Sequence, residues 1–331
     1  MFEQPQKIMT ELVLDGPVPK ASSMAAMVIS NYFLPIYVQV ESTTKCNLKC
    51  KLCRRTNDVN SDMPLQLFKS IIDQLKNSNF ILRRLDLTGL GEPLFHPNLV
   101  NMIKYATDYG FKVSLTSNFT LINKENSLDL IDSELDYLYV SFDGASKSTF
   151  EKMRIGTNFE KIVDKVKLFI KMRQELNSKK PKLMFETTIS EDNVQEVPQI
   201  VELAESLRVD GIYFFREVKP GKRDYADDSF SLMDLKDLAK SSIEILVNQP
   251  DKAGLCVGMF GCYITFDGKV LPCNRLIQLA SRKEYVRYQF GDLNRNSLSE
   301  IWFSDSYKRF RRRLALGMTS SFCKSCPTKG C

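Results

Sequence analysis

The sequence predicts an α/β fold with a mainly parallel sheet, and two observations carry this prediction. Six strand-like stretches lie between residues 36 and 218, and a segment with helical spacing separates each stretch from the next. Parallel strands joined by helical crossovers have this order. An open doubly wound sheet and a full or partial barrel fit equally well, and both gather functional side chains at the carboxyl ends of strands.

The elements follow one another in a regular series. The predicted strands are 36–42, 82–89, 111–118, 135–144, 182–190 and 211–218. The predicted helices between them are 65–77, 98–110, 124–132, 159–176 and 196–209. After the last strand the alternation stops. There we expect a linking helix, a hairpin that turns at Asp267 and Gly268, and one helix over 296–316 that buries Trp302.

This pattern predicts four parts of the chain. They are an N-terminal extension (1–35), the α/β domain (36–225), the linking helix (226–250) and a small cysteine-rich α+β domain (251–331). The last part has too little apolar content to rely on packing alone, so we expect it to be built around a metal site.

Composition excludes little beyond disorder. With 43% hydrophobic and 26% charged residues the chain is that of an ordinary globular protein, and a formal charge of +6 suits an anionic small molecule or peptide as well as a nucleic acid. We interpret the basic run 308–313 as the solvated C-terminal part of a helix. The apolar segment 24–40 is interrupted by Ser30, Asn31 and Pro35, so we predict no membrane span. We also predict no signal peptide, and we expect a cytoplasmic location.

The nine cysteines are an odd number and fall into two groups. A disulfide framework spreads pairs over a small secreted chain, whereas clusters in a chain of this kind indicate metal or iron–sulfur binding. The first group, directly after the first strand, is Cys46, Cys50 and Cys53. The second group is Cys256, Cys262, Cys273, Cys323, Cys326 and Cys331.

The first group supplies three thiolates and has no fourth ligand nearby. A closed zinc site needs four ligands, and the only histidine, His96, follows a different strand. In an iron–sulfur cubane each thiolate holds one iron, so three thiolates leave one iron open to an outside ligand. We interpret His96 as a structural residue at the start of a helix.

The spacing CxxxCxxC of Cys46, Cys50 and Cys53 resembles the signature of the radical S-adenosylmethionine (SAM) superfamily. The resemblance implies a partial (β/α)6 TIM-like barrel, a 4Fe-4S cluster and SAM chelated on its open iron. Such enzymes reductively cleave SAM to methionine and a 5′-deoxyadenosyl radical, which abstracts a hydrogen atom from the substrate. Leu52 stands where many relatives carry an aromatic side chain that touches adenine.

Further motifs at strand ends match those that the family places there. "GLGEP" resembles the family's GGEP-type motif, "TSN" ends the third strand and "VSFDG" ends the fourth. Taken singly, Glu92 also fits a helix-start carboxylate and Asp143 a turn residue, but their joint occurrence at successive strand ends favours a SAM site. The resemblance implies that SAM is bound by Gly89, Gly91, Glu92, Ser117, Asn118, Ser141 and Arg154.

The second cysteine group resembles the SPASM/Twitch auxiliary-cluster domain, through the spacing of Cys256, Gly268 and Cys273 and through the closing "CKSCPTKGC". Cys262 and Cys331 are left over from a single four-cysteine site, and they also fit a buried strand residue and a frayed terminus. Two three-cysteine clusters remain an alternative, as does a zinc ribbon. The resemblance implies one auxiliary 4Fe-4S cluster held by Cys256, Cys273, Cys323 and Cys326.

Catalytic side chains are less sharply indicated. In relatives that oxidise a serine or cysteine, an Asp just after the corresponding cysteine acts as the base, and this chain has Asn274 there. The alternatives for the base are Asp267, Arg275 and Tyr263. Cys262 and Cys331 are the candidates for a hydrogen-atom donor to a product radical, if either of them is not a cluster ligand.

The predicted function is oxidation or modification of a small molecule of aminocyclitol or sugar type, or of a short peptide, with help from the auxiliary cluster. Thirty-five residues before the first strand are too few for the winged-helix domain of many peptide-modifying relatives, which favours these substrates. One alternative is a ribosomal peptide or protein maturase that forms thioether or carbon cross-links or epimerises residues. An alternative of another class is a non-catalytic iron–sulfur or zinc module for electron transfer. We expect flavodoxin or ferredoxin as electron donor, and we do not expect a nucleic acid or membrane partner.

Overall fold

A single sheet organises the described part of the chain. The computed structural model describes residues 30–55, 59–76, 84–217, 242–247, 256–279, 281–316, 318 and 323. Within these ranges the strands are β1 (Tyr37–Val40), β2 (Arg84–Asp86), β3 (Lys112–Ser117), β4 (Tyr137–Ser141), β5 (Lys182–Ile189), β6 (Gly211–Arg216), β7 (Glu244–Val247), β8 (Gly261–Ile264), β9 (Lys269–Leu271) and β10 (Gly291–Asp292). Their order across the sheet is β10-β9-β8-β1-β2-β3-β4-β5-β6-β7.

Strands β1 to β7 run parallel, and β8 joins them as a parallel neighbour on the other side of β1. Strands β8, β9 and β10 form an antiparallel extension. The hairpin between β8 and β9 turns at Gly268, whose φ of +88° suits a residue without a Cβ. The two parts that the sequence distinguishes therefore share one continuous sheet.

The parallel part of the sheet curls into a partial barrel. Burial, the charge of Asp86 and the nearby Tyr213 all raise the pKa of Tyr37, so side chains on β1 and β6 approach each other. A flat sheet with about 4.8 Å between strands would hold β1 and β6 roughly 24 Å apart. The predicted partial barrel is confirmed, and β7 adds a seventh parallel strand to the six that were expected.

Each barrel strand has an apolar outer face and a more polar inner face. Outer residues such as Val38, Leu85 and Val113 are at most 2% exposed and pack beneath the helices. Because successive side chains of a strand point to opposite faces, the residues between these outer ones form an inner set that faces the lumen. That inner set includes Gln39, Asp86, Thr116, Tyr139, Glu186 and Tyr213.

The helices cover the outer face. Around the barrel they are α1 (Leu65–Lys76), α2 (Leu99–Asp108), α3 (Lys124–Asp132), α4 (Lys147–Met153), α5 (Phe159–Glu175) and α6 (Val197–Leu207). In the C-terminal part they are α7 (Arg275–Leu279), α8 (Arg282–Tyr285), α9 (Leu298–Trp302) and α10 (Asp305–Ala315). Short 3₁₀ turns lie at Pro93–Phe95, Val194–Glu196, Val257–Met259 and Val286–Tyr288.

Side-chain caps explain where several of these helices begin. The side chains of Asn123, Ser146 and Asn158 accept a hydrogen bond from the first turn of α3, α4 and α5. Helix α4 was not expected from the sequence, and it carries the chain from β4 back to the edge of the barrel.

Two expected helices differ from the structure. Within 226–250, residues Glu244–Val247 form β7 instead, because this apolar, partly β-branched segment pairs with the backbone of β6; residues 218–241 and 248–250 lie outside the described residues. The helix expected over 296–316 is two helices. Ser304 ends the first and caps the second by accepting a hydrogen bond from the Tyr307 backbone N–H at 3.3 Å.

The C-terminal part packs directly on the barrel. Trp302 is fully buried, as expected, and its Nε1 donates to the carbonyl oxygens of Ser30 and Phe33 at 3.1 and 2.8 Å. Trp302 and Tyr307 belong to the same apolar core as the outer faces of β1 and β2. Packing shared with the barrel therefore contributes to the stability of this part.

Within the described ranges, none of the helices combines the length and apolar character that crossing a lipid bilayer requires.

Candidate functional site

The first three cysteines lie in a loop that follows β1 at the carboxyl edge of the barrel. The loop is tied to the C-terminal end of α4, because the backbone N–H groups of Lys49 and Lys51 donate to the carbonyls of Ile155 and Met153 at 3.0 and 2.9 Å. Cys46 and Cys50 are partly exposed and Cys53 is exposed. The loop therefore presents thiols at an accessible edge.

The three thiols also lie near one another. Burial raises the pKa of Cys46, and Glu92 and Cys50 add to the rise. Burial also raises the pKa of Cys50, with Arg154 opposing and Cys53 adding to it. Within the described residues no three potential ligands converge as they would around a single metal ion. The sulfurs around a cubane stand farther apart, because each binds its own iron.

The glycine-rich loop after β2 packs against the cysteine loop. The backbone N–H of Glu92 donates to the carbonyl of Lys45 at 2.7 Å. A Cβ on Gly91 would lie 2.2 Å from the carbonyl oxygen of Thr43, and a Cβ on Gly89 would lie 2.5 Å from Cγ of Glu41. Only glycine permits this approach, so "GLGEP" lies close against the cysteine loop.

Glu92 is buried, at 2% exposed, and its carboxylate is held from the end of β3. The Ser117 hydroxyl donates to Oε1 at 2.7 Å and the Asn118 backbone N–H donates to Oε2 at 2.6 Å. Burial raises the pKa of Glu92, and these hydrogen bonds oppose the rise. Ser117 also accepts from the Phe119 N–H at 3.0 Å, so its hydroxyl positions Glu92.

Two polar side chains, one just after β3 and one just after α4, reach the cysteine sulfurs. The Asn118 amide lies 3.8 Å from Sγ of Cys46, and Nη1 of Arg154 lies 3.8 Å from Sγ of Cys50. Arg154 also forms an ion pair of 2.6 Å with Asp143, at the end of β4. Donors aimed at sulfur suit an anionic iron–sulfur cluster, so these residues fit the cofactor that the family implies.

Three other residues that the sequence singled out, Ser141, Leu52 and His96, lie among the described residues. Ser141, 7% exposed, ends β4 opposite Glu186, and Leu52 lies partly exposed between two of the cysteines. His96 is buried and structural: its Nε2 lies 2.9 Å from the Met63 carbonyl, and its Nδ1 accepts from the Asn98 N–H at 3.0 Å.

The lumen holds two carboxylates that the sequence reasoning missed. Burial and the charge of Asp86 raise the pKa of Glu186 to about 7. Burial raises the pKa of Asp86 to about 6, against hydrogen bonds from Thr88 and Tyr37. The charge of Arg154 opposes this rise in the pKa of Glu186, so Glu186 lies on the side of the lumen near the cysteine loop. The sequence carried one signal for these residues, namely an acidic side chain at a strand position that faces inward.

The described cysteines of the second group gather away from the hairpin turn. Cys256 precedes β8, Cys262 is its second residue and Cys273 follows β9, so all three lie toward the open end of the hairpin. Cys256 and Cys323 pack in one small apolar cluster with Met259 and Leu314. The exposed fractions of the four are only 2–8%, and Cys326 and Cys331 lie outside the described residues.

Helix α10 covers these cysteines with Tyr307. Tyr307 belongs to the same buried cluster as Cys262. Burial raises the pKa of Tyr307, and Cys262, Cys273 and Cys256 add to the rise. Burial raises the pKa of Cys262 to about 12, and Arg311 opposes the rise.

Arg311 corrects the interpretation of the basic run as solvated. Arg309, Arg312 and Arg313 are exposed, but Arg311 is fully buried. Its guanidinium carbon lies 4.1 Å from the Trp302 ring centre and 4.9 Å from that of Tyr307. Burial lowers the pKa of Arg311 to about 10, so it remains a cation at neutral pH.

The candidate bases of the C-terminal part are engaged in other contacts. Asp267 forms an ion pair of 3.0 Å with Arg282, and Nη1 of Arg275 donates to Gln278 at 2.8 Å. Tyr263 is buried beside Glu41. Burial raises the pKa of Glu41. Asn274 follows Cys273 directly and is partly exposed.

An accessible three-cysteine loop on a partial barrel, with a glycine-rich loop and a buried glutamate beside it, defines a radical SAM domain. The family model of the radical SAM superfamily matches residues 40–204. The chain therefore belongs to the radical SAM superfamily and is an enzyme of that class, whose domain uses a 4Fe-4S cluster and SAM. The SPASM iron–sulfur cluster-binding domain matches residues 256–327, so the C-terminal part is a SPASM domain that binds auxiliary iron–sulfur.

Curated relatives share much of the length of the chain. A "Tungsten-containing aldehyde ferredoxin oxidoreductase cofactor-modifying protein" of Pyrococcus furiosus is 26% identical, over 83% of each chain. An "AdoMet-dependent heme synthase" of Methanosarcina barkeri is 27% identical over 81% of this chain and 82% of that protein. A "PqqA peptide cyclase" of Bradyrhizobium diazoefficiens is 22% identical over 88% and 79%.

Solved structures share the fold. SuiB of Streptococcus suis bound to S-adenosylmethionine matches with a TM-score of 0.69 at 16% identity, over 99% of this chain and 82% of that one. AnSMEcpe with bound AdoMet matches with a TM-score of 0.65 at 18% identity, over 88% and 86%. At these identities the structures establish the architecture of the barrel and its C-terminal domain.

Proposed function

We propose that this enzyme removes a hydrogen atom from a substrate carbon in the barrel lumen and completes a two-electron oxidation or modification of a small molecule or short peptide. The observation that carries this proposal is the line of polar groups from Cys50 through Arg154 and Glu186 to Asp86. When bound, the first cluster would supply the electron that cleaves SAM to a 5′-deoxyadenosyl radical, and the auxiliary cluster would supply an electron acceptor.

The residues at the edge of the barrel hold SAM in this proposal. Gly89 and Gly91 let the backbone come close to the methionine part, and Glu92 accepts hydrogen bonds from its ammonium group. Ser117 and Asn118 fix the Glu92 carboxylate, at 2.7 and 2.6 Å. Ser141 contributes a hydroxyl to the same edge.

Arg154 has a second role in this proposal beside the one expected. Because its guanidinium already faces Asp143 at 2.6 Å and Cys50 at 3.8 Å, we assign it to orienting the cluster loop as well as to the SAM carboxylate. An arginine at this place also balances the negative charge of a thiolate-bound cluster.

Glu186 is the proton acceptor in this proposal. Oxidation of a C–H bearing carbon releases one proton in addition to the hydrogen atom and the electron that leave. A carboxylate whose pKa is about 7 is well matched to take that proton at neutral pH. Glu186 therefore replaces Asp267, Arg275 and Tyr263 as the preferred base.

The lumen also bears on the substrate class. Carboxylates and tyrosine hydroxyls recognise amine and hydroxyl groups, which aminocyclitols, sugars and peptide side chains carry. The relatives are named for a peptide, a heme and a cofactor, so their names do not agree on one substrate. A peptide maturase is the second candidate, supported by neighbours such as SuiB bound to its precursor peptide SuiA.

For the auxiliary site we propose one 4Fe-4S cluster. Cys256, Cys262 and Cys273 all lie toward the open end of the hairpin between β8 and β9, which supports including Cys262 among the ligands. Cys323 packs beside Cys256, and Cys326 and Cys331 are the other candidates for the remaining corner. We retain the predicted division of the chain at 36–225 and 251–331, and a flavodoxin or ferredoxin as electron donor.

The test begins with anaerobic reconstitution, iron and sulfide counting, and an assay for 5′-deoxyadenosine from SAM with dithionite as reductant. We expect 5′-deoxyadenosine from the loaded protein. No SAM cleavage by a fully loaded and reduced sample would overturn the proposal.

The substrate class is tested with extracts of cells grown in deuterated medium. Deuterium that appears in 5′-deoxyadenosine marks the fraction that contains the substrate. Transfer from the small-molecule or short-peptide fraction supports the proposal. Transfer only from a fraction of large peptides, abolished by protease, would instead favour a maturase.

A further inference from the structure

The C-terminal domain buries hydrogen-bond donors that no described residue satisfies. Tyr307 and Arg311 are both 0% exposed. Among the described residues, the Tyr307 hydroxyl and the Nε and Nη1 atoms of Arg311 have no hydrogen-bond partner, while Nη2 donates to the Ser30 carbonyl at 3.2 Å. Buried donors of this kind destabilise a fold unless an acceptor stands beside them.

The two side chains lie on one face of α10, because they are four positions apart. An aromatic stack fixes them there. Phe290 stacks on Tyr307 with ring centres 4.1 Å apart, Trp302 meets Tyr307 edge-on at 4.8 Å, and Arg311 lies over Trp302 at 4.1 Å. Packing, together with the hydrogen bond from Arg311 to Ser30, therefore fixes their position.

The cysteines lie on the same side. Cys262 belongs to the same buried cluster as Trp302 and Tyr307, and Cys256 and Cys323 pack with Leu314 of α10. Thiolates and bridging sulfides of an iron–sulfur cluster are anionic acceptors with room for several donors. The unpaired donors and the cysteine sulfurs are therefore chemically complementary.

We propose that Tyr307 and Arg311 donate hydrogen bonds to the sulfur atoms of the auxiliary iron–sulfur cluster and raise its reduction potential. This inference rests on the proposed auxiliary site and deepens it. Adding an electron increases the negative charge on the cluster, and a buried cation and a hydroxyl donor stabilise the more negative state. The site would thereby accept an electron more readily than a cluster in an apolar pocket.

The experiment isolates the auxiliary cluster in the full-length chain. Cys46, Cys50 and Cys53 are replaced by Ala together, so any remaining cluster belongs to the C-terminal domain. Into this parent we introduce Tyr307→Phe, which removes only the hydroxyl and keeps the stacked ring. Arg311→Gln is a second variant that removes the charge.

Two matched controls separate hydrogen bonding from structural effects. Tyr285→Phe removes another buried tyrosine hydroxyl of the same domain, one that Arg282 contacts at 3.4 Å. Arg312→Gln removes an exposed charge next to Arg311 in sequence. Iron and sulfide content shows that each variant still holds the cluster.

A redox titration followed by electron paramagnetic resonance gives the midpoint potential. At the parent's midpoint we expect Tyr307→Phe to lower the ratio of reduced to oxidised cluster about tenfold, which is about 59 mV for one electron. Arg311→Gln should lower it at least as much, and both controls should leave it unchanged.

Two results overturn the inference and are distinguishable. A loaded Tyr307→Phe variant with the parent's midpoint potential would refute the role of the hydroxyl while leaving the auxiliary site in place. A parent that binds no iron and sulfide would refute the auxiliary site and this inference together.

Discussion

The two cysteine groups of this protein occupy opposite kinds of surroundings. Cys46 and Cys50 are partly exposed and Cys53 is exposed, in a loop at the carboxyl edge of the barrel. In contrast, Cys256 and Cys262 are 8% and 2% exposed, under an aromatic helix. The first group has amide and guanidinium donors at 3.8 Å from sulfur, while the second has a tyrosine and an arginine from a packed stack.

The difference corresponds to two tasks. A cluster that binds an outside molecule at one iron needs an accessible edge and residues that recognise that molecule. A cluster that only exchanges electrons gains from burial, because the surrounding dipoles and charges then act on its potential without screening by water. The accessible group should therefore control SAM cleavage, and the buried group should control the later transfer of an electron from the substrate.

The largest expected effect separates the two groups directly. Cys50→Ala should reduce 5′-deoxyadenosine formation to the background of the reductant, because the loop then has only two of its three thiolates. Cys256→Ala should leave SAM cleavage in place and lower the iron and sulfide content per chain. Iron counting and chromatography of 5′-deoxyadenosine measure both. Equal loss of SAM cleavage in the two variants would contradict the division of tasks.

The next effect concerns the lumen beside the accessible group. Glu186→Gln should slow substrate turnover about a hundredfold, the lower range for loss of a general base, and leave SAM cleavage unchanged. In the native enzyme turnover should rise with pH through about 7, as Glu186 loses its proton, and the variant should lose this inflection. Thr116→Val removes a hydroxyl that hydrogen-bonds to Glu186 and lowers its pKa, so this variant should keep the inflection but shift it to higher pH.

The same carboxylate should affect stability in a pH-dependent way. Because its pKa in the folded protein lies above the ordinary value for glutamate, the folded state binds the proton more tightly than the unfolded state. The free energy of unfolding should therefore fall as the pH rises from about 4.5 to about 7, relative to Glu186→Gln. Urea unfolding at several pH values measures the difference. A constant difference between the proteins across this range would show that Glu186 titrates normally.

A smaller effect is expected from the glycine-rich loop. Gly91→Ala places a Cβ 2.2 Å from the Thr43 carbonyl, so the loop must move away from the cysteine loop. Overpacking of this kind costs about 1–3 kcal/mol, which corresponds to roughly tenfold to hundredfold weaker SAM binding if the cost falls on the bound state. Isothermal titration with SAM tests this. Gly110→Ala, where a Cβ meets nothing within 4 Å but φ is +77°, is a control that should affect stability without weakening SAM binding.

The smallest effect is expected on the outer surface of the buried group. Arg312→Ala and Arg313→Ala should each change the free energy of unfolding by less than about 0.5 kcal/mol, because both side chains are exposed. Arg311→Ala should destabilise the protein clearly more, since it removes the buried stack on Trp302. Chemical denaturation compares the three. Similar values for all of them would mean that Arg311 is not buried in solution.

Much of the accessible site could be predicted because its signals are local. Cys46, Cys50 and Cys53 fall within one loop, and Glu92, Asn118 and Asp143 each follow a strand whose carboxyl end was identifiable from alternation. In a parallel barrel all such ends lie at one edge, so knowing the strands was enough to bring these residues together. His96 was also interpreted correctly, since its place before a helix indicated a structural role.

The buried group and the lumen were harder to predict because they depend on contacts between distant segments. Within "KRFRRR" nothing in the sequence distinguishes Arg311 from Arg312, and helical phase against Trp302 and Tyr307 decides which one is buried. The segment Glu244–Val247 became a strand because β6 offered it an unpaired edge. Asp86 raises the pKa of Glu186 only because the curled sheet brings the two carboxylates into the same lumen.

The sequence by itself therefore determined the order of strands, the three-thiol loop and the residues at the carboxyl edge, because periodicity and spacing are local properties of the chain. Only the tertiary structure decided which carboxylates share the lumen, that the C-terminal hairpin extends the barrel sheet beside β1, and that Tyr307 and Arg311 face the second cysteine group. Those outcomes depend on burial, and burial is a property of surfaces that meet after folding.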